Sequence, residues 1–221
     1  MIELTNDEKR ILAAISFCSE EIESGNLCDA DIKLLEEMRE VKKYLGEKYP
    51  SYTFEITGCD PKAGTIRDYN EWYYKALEVE RDSAYIATSK EIGDKYEIKD
   101  DFYGEIIKNE ALKQLEEILS KQEIPIIKTE ISFWEYLGNE YKEDISATEV
   151  LKGKIVAGND IKIFLDDTRL GDKNYNATVK KVENSLKNEG ICGEVYIVVI
   201  KDFKGDPVKD RLFSDSFSLD H

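Results

Sequence analysis

Asp166 and Asp167 close the apolar run IKIFL, and two carboxylates at the C-terminal end of a strand are where open α/β sheets place ligands for Mg²⁺ or phosphate. This pair is therefore a candidate metal centre for an enzyme acting on a phosphorylated substrate. Asp172, Asn174, Asn176 and Glu183 form a second candidate, since they occupy positions 1, 3, 5 and 12 of a calcium-loop template. Ala177 stands where that template needs glycine, so the alternative is that Asn174 or Asn176 caps a helix and Glu183 lies on its wet face. Asp100 and Asp101 precede a predicted helix, where the helix dipole favours negative charge.

Other chemistries lack their residues. The single histidine is His221, the last residue, and no P-loop, GxGxxG or GxSxG pattern occurs. Histidine-based nucleophile systems and HExxH zinc sites are thereby set aside, and no cofactor is expected. Cys18, Cys28, Cys59 and Cys192 show no CxxC spacing; they are expected to be reduced and mostly buried, the other reading being a Cys18–Cys28 link across a helical turn.

Binding residues are more abundant. Glu20, Glu21, Glu23, Asp29 and Asp31 make an acidic cluster suited to a basic partner. Trp72 and Tyr73, in an aromatic run with Tyr69 and Tyr74, are candidate anchors of the type that dominates interface energetics, as are Phe133, Trp134 and Tyr136. Strand alternation puts Trp72 and Tyr74 on one face and Tyr73 on the other.

The whole chain is strongly acidic, with 31 basic against 47 acidic residues and a net charge of −16, spread along its 221 residues rather than held in one segment. That field opposes phosphate backbones and anionic lipid, so neither nucleic acid nor a membrane surface is an expected partner. A basic protein is expected instead, as for an immunity-type inhibitor or a regulatory partner. No segment approaches the roughly 20 apolar residues of a membrane span, and the N-terminus lacks a signal-peptide pattern, so a cytoplasmic location is expected. With 41% hydrophobic residues the chain can bury a real core.

The elements that position these residues follow from periodicity. Thr5 and Glu8 make a capping box ahead of a helix that should run to Gly25 with Ile11, Ile15, Cys18 and Ile22 on one face. Asp29 caps a second helix carrying Leu34, Met38, Val41 and Leu45. After Pro50 the period becomes two, predicting a strand at 52–57 and further strands at 72–79, 84–88 and 95–99, arranged as an antiparallel meander. A helix at 104–122, a strand from 126, a short helix at 147–152, strands at 154–157 and 160–166, a helix from about 174 and a central strand at 195–200 complete the pattern. A loose tail or edge segment follows from Lys204.

The fold class is α+β: an N-terminal helical hairpin followed by mostly antiparallel sheet packed with two longer helices. The expected division is a hairpin over 1–48 and an α+β domain over 49–221, which also reads as helix–strand units at 49–137 and 138–203 with a tail at 204–221. The run YLGEKYPSYTFEITG, with WYYKALEVE and KYEIKDDFYG, resembles a helix, K-Y, strand, hairpin, D-x-[FY] unit of uncharacterised bacterial proteins. The resemblance spans about residues 41–120, implies an α+β fold and carries no activity. A third functional reading is a structural protein assembling through the hairpin.

Overall fold

The structure, a computed structural model, describes residues 2–16, 18–171 and 173–220. It is an α+β protein whose chain divides into two compact units, residues 1–103 with 136–144 and residues 104–135 with 145–221.

In the first unit, α1 (Asn6–Ile15) starts at the expected capping box: Glu8 N donates to Thr5 Oγ1 at 3.2 Å and Thr5 N to Glu8 Oε2 at 2.8 Å. Glu8 also accepts from Arg39 Nε at 2.7 Å, which ties the cap to α3 (Asp29–Lys48). The expected single helix up to Gly25 is in fact two, because α2 (Ser19–Ser24) is separate. Ser16 leaves helical geometry at φ −103°, ψ 156°, and its hydroxyl accepts from Cys18 N at 3.0 Å. A serine-capped turn thus competes successfully with the helix ladder. The break splits the anticipated apolar face, leaving Ile11 and Ile22 buried and Ile15 and Cys18 half-buried.

β1 (Phe54–Asp60), β2 (Asn70–Ala76), β3 (Tyr85–Ile92) and β4 (Lys95–Asp100) form the predicted antiparallel meander in order β1-β2-β3-β4. Its buried face carries Phe54, Trp72, Tyr74 and Tyr85. Phe102 packs edge-on against Tyr49, Phe54 and Tyr85 with ring centroids 4.9–5.1 Å apart, the arrangement that aromatic quadrupoles favour. Within this core, Asp100 does not serve as a mere helix cap. It meets Lys48 from α3 and bridges in the strand direction to Leu137.

In the second unit, α4 (Tyr103–Ser120) buries Ile107, Ala111, Leu115 and Leu119 as the spacing predicts. Gly104 lets the Phe133 side chain approach, since a Cβ there would lie 3.1 Å from the ring. β5 (Ile126–Phe133), β6 (Asn159–Asp166), β7 (Gly193–Ile200) and β8 (Arg211–Leu219) form a second sheet in that order. β6 and β7 are parallel and joined through α6 (Tyr175–Asn188), while β5 and β8 flank them antiparallel. The two central strands bury Ile161, Ile163, Leu165, Val195, Ile197 and Val199.

One predicted strand fails here, and one open alternative is decided. Residues 154–157 are not a strand: the amides of Lys154 and Ile155 both close back on the Glu149 carbonyl after α5 (Ala147–Leu151), and Val156 is exposed. Of the two alternatives for the segment after Lys204, the edge segment is the one found, since Arg211–Leu219 pairs with β7 as an edge strand. Among the described residues no helix is long and apolar enough to cross a membrane.

Candidate functional site

The carboxylates that suggested metal chemistry in the second unit are occupied by the protein itself. Asp166 is 2% exposed, and its Oδ1 accepts from Thr168 N at 2.9 Å and Thr168 Oγ1 at 2.6 Å, an Asx-type turn that starts the short 3-10 helix Asp167–Arg169. Asp167 accepts from Lys173 Nζ at 2.8 Å and from the Tyr175 hydroxyl at 2.7 Å, and these bonds hold its carboxyl below the usual range. Both acids at the strand end are thus turn-forming groups.

The described residues of the calcium-loop candidate are likewise engaged within the protein. Asn174 caps α6, its Oδ1 accepting from Ala177 N at 3.1 Å. Asn176 is exposed and already helical, so Glu183 lies seven residues along the axis, about 10 Å at 1.5 Å per residue. Glu183 pairs with Lys180 at 2.8 Å and Lys187 at 3.7 Å. Asn174 and Glu183 thus have partners within the protein; Asp172 and His221 lie outside the described residues.

The aromatic anchors divide. Trp72 is fully buried and donates Nε1 to Glu37 at 2.9 Å, so it is a core residue and not an interface anchor. Tyr73, on the opposite face, is half-buried and packs over Gly58 at the β1 bulge, where a Cβ would sit 3.4 Å from its ring. Trp134, in the second unit, is the exposed indole at 55% and lies so close over Gly158 that no side chain would fit there.

A further candidate site lies in the first unit. A cleft of about 410 Å³ opens where α1 ends and α3 begins, with apolar walls from Ile15, Leu34, Pro61 and Ala63. Its polar floor is fixed: Asn70 Nδ2 donates to both oxygens of Glu37 at 2.9 and 2.8 Å, while Asn70 Oδ1 accepts from Lys62 N at 2.7 Å. Lys33 and Glu91 lie at its edge, 3.7 Å apart.

Around the mouth, the break in the expected helix places Cys18 beside the start of α3. Cys18, Cys28 and Asp31 offer ligand atoms that all lie within 4.8 Å of one another, and Cys28 Sγ donates to Asp31 Oδ2 at 3.2 Å. Burial, followed by the neighbouring Cys28, raises the pKa of the Cys18 thiol. All four cysteines are free thiols, and only Cys192 is buried, contrary to the expected burial of most. Spacing hid this cluster; the clue was Cys28-x-x-Asp31 at a helix start.

The acidic cluster separates along the same lines. Glu20, Glu21, Glu23 and Asp29 are exposed on α2 and the first turn of α3, the segments adjoining Cys18 and Cys28 at the cleft. Asp31 is buried at 2% exposure and belongs to the cleft wall instead of the outer surface.

No family model matches the chain, and no curated protein does. Among solved structures it is similar to the crystal structure of a DUF5037 family protein from Ruminococcus gnavus ATCC 29149, at 12% identity and a TM-score of 0.41, covering 82% of this chain and 91% of that one.

Proposed function

We propose that the protein is a non-catalytic binding module whose first unit docks a basic segment of another protein at the cleft between α1 and α3. The observation that carries this reading is that the segments leading on from the cleft residues Cys18 and Cys28 carry exposed Glu20, Glu21, Glu23 and Asp29, while Ile15, Leu34, Pro61 and Ala63 give the cleft apolar walls. An apolar side chain of the partner fills the cleft while neighbouring lysines or arginines meet the rim. Exposed carboxylates contribute on-rate and selection of basic partners more than raw affinity, and the apolar insertion supplies the holding energy.

The long-range field acts in the same direction. A net charge of −16 attracts a basic partner from beyond contact distance and repels nucleic acid. The candidate acids Asp166 and Asp167, by contrast, are committed to Thr168, Lys173 and Tyr175.

Hydrogen exchange of the full chain with and without a short Lys/Leu peptide tests the site. Slowed exchange confined to α2, the first turns of α3 and the 61–63 loop is the expected result. Protection elsewhere, or none at peptide concentrations that saturate binding, would overturn it.

A further inference from the structure

The geometry points to a metal site: we infer that Cys18, Cys28 and Asp31 bind a borderline-soft divalent cation of the zinc type. This inference is independent of the docking of a basic partner.

Three observations converge. The ligand atoms already lie within 4.8 Å of one another, and tetrahedral coordination with Zn–S near 2.3 Å and Zn–O near 2.0 Å needs separations of roughly 3.5 Å, a contraction within the reach of side-chain rotation. Asp31 is 2% exposed, yet none of the ion pairs among the described residues reaches it, and its one side-chain hydrogen bond comes from the Cys28 thiol. The other deeply buried acids of this unit are treated differently: Glu37 accepts from Asn70 and Trp72, and Asp100 pairs with Lys48. A buried carboxylate with only a thiol for company is the one that a cation would complete.

Third, Cys28 occupies the N-cap of the twenty-residue α3 without a capping bond from its side chain, so its sulfur is not engaged by the first amides of the helix. The donor set selects the ion. Two sulfurs with one carboxylate suit Zn²⁺ and disfavour Mg²⁺ and Ca²⁺, which take oxygen ligands. Three protein ligands leave a fourth position, and the cleft that Cys18, Cys28 and Asp31 help to line gives water or an incoming donor access to it. Binding converts both thiols to thiolates and releases their two protons to solvent, with no change of oxidation state.

The test is a cobalt titration of the full-length, fully reduced protein. We expect a thiolate-to-cobalt charge-transfer band that saturates at one equivalent and is displaced by zinc. Cys18→Ser and Cys28→Ser should lose the band, Asp31→Asn should weaken binding by at least about tenfold, and Cys59→Ser and Cys192→Ser should retain it. A band that survives Cys18→Ser and Cys28→Ser, or no band with the protein folded by circular dichroism, would overturn the site. Should the serine variants fail to fold, alkylation of the unaltered protein decides: zinc should protect Cys18 and Cys28 from iodoacetamide, and equal labelling with and without zinc contradicts the assignment.

Discussion

Lys48 Nζ lies 2.6 Å from Asp100 Oδ2 with both side chains at zero exposure, joining the last turn of α3 to the end of β4. The pair is fully dressed. Lys48 also donates to the Leu137 carbonyl at 2.7 Å, and Asp100 accepts from the Tyr44 and Tyr49 hydroxyls and from Phe102 N, each at 2.9 Å. Burial lowers the Lys48 pKa, while Asp100 acts in the opposite direction.

Removing one partner leaves the other charge buried. Lys48→Met should destabilise the first unit by about 3–5 kcal/mol, and Tyr49→Phe, which deletes a single hydrogen bond to the carboxylate, by about 1–2 kcal/mol. Urea unfolding followed by near-ultraviolet dichroism of the aromatic core measures both. Equal, small effects would show that the network is not a stability element.

Asp101, next in sequence, has the opposite problem. Its Oδ1 accepts from Ile86 N at 2.9 Å, but burial pushes its pKa up from 3.8 to about 6. The folded state therefore holds the proton more tightly than the unfolded chain. The stabilisation is fully present below about pH 4 and is lost as pH rises through 6, by up to roughly 3 kcal/mol. Unfolding free energies measured from pH 4 to 7 should lose this component of their slope in Asp101→Asn; an unchanged slope contradicts the shift.

The two tryptophans should behave as separate populations. Trp72 is fully buried against Glu37, whereas Trp134 is 55% exposed. Trp134→Phe should leave blue-shifted emission that resists acrylamide, and Trp72→Phe should leave readily quenched emission and cost about 1–3 kcal/mol because the buried Glu37 carboxylate loses one of its two donor residues. Free quenching of Trp72 would return it to the interface candidates.

Much of the fold was legible because period and capping are local signals. The Thr5/Glu8 box, the α3 stripe through Met38, Val41 and Leu45, and the β1–β4 meander all appear where alternation predicts them. The break at Ser16 was not legible, since a hydroxyl-capped turn interrupts a pattern whose apolar spacing runs straight through it. The site suffered more. Acids at Asp166 and Asp167 look alike in sequence whether they face a metal or their own Thr168 and Lys173, and only the fold distinguishes the two. Lys48 and Asp100 are 52 residues apart and meet solely through tertiary packing.

Asp167 bears on both stability and metal binding. Its pKa is lowered, first by the bond from Lys173 and then by that from Tyr175, so its stabilisation is present above its unfolded value of 3.8 and fades as pH falls below it. Asp167→Asn should lower stability at neutral pH by about 1 kcal/mol, with Mg²⁺ leaving the melting temperature of both proteins unchanged. A Mg²⁺-dependent rise abolished by the substitution would reinstate the strand-end pair as a metal centre.

The docking claim is tested most directly by fluorescence anisotropy of a labelled Lys/Leu peptide titrated with the intact protein at low and at physiological salt. Two variants remove equal charge: Glu20→Gln/Glu21→Gln/Glu23→Gln/Asp29→Asn at the rim, and Glu47→Gln/Glu55→Gln/Glu80→Gln/Asp82→Asn at exposed positions elsewhere in the first unit. The rim variant should bind about tenfold or more weakly, while the distant variant stays within a few-fold of the unaltered protein. Equal losses in both would mean that only the overall field binds the peptide, and would contradict a docking site at the cleft.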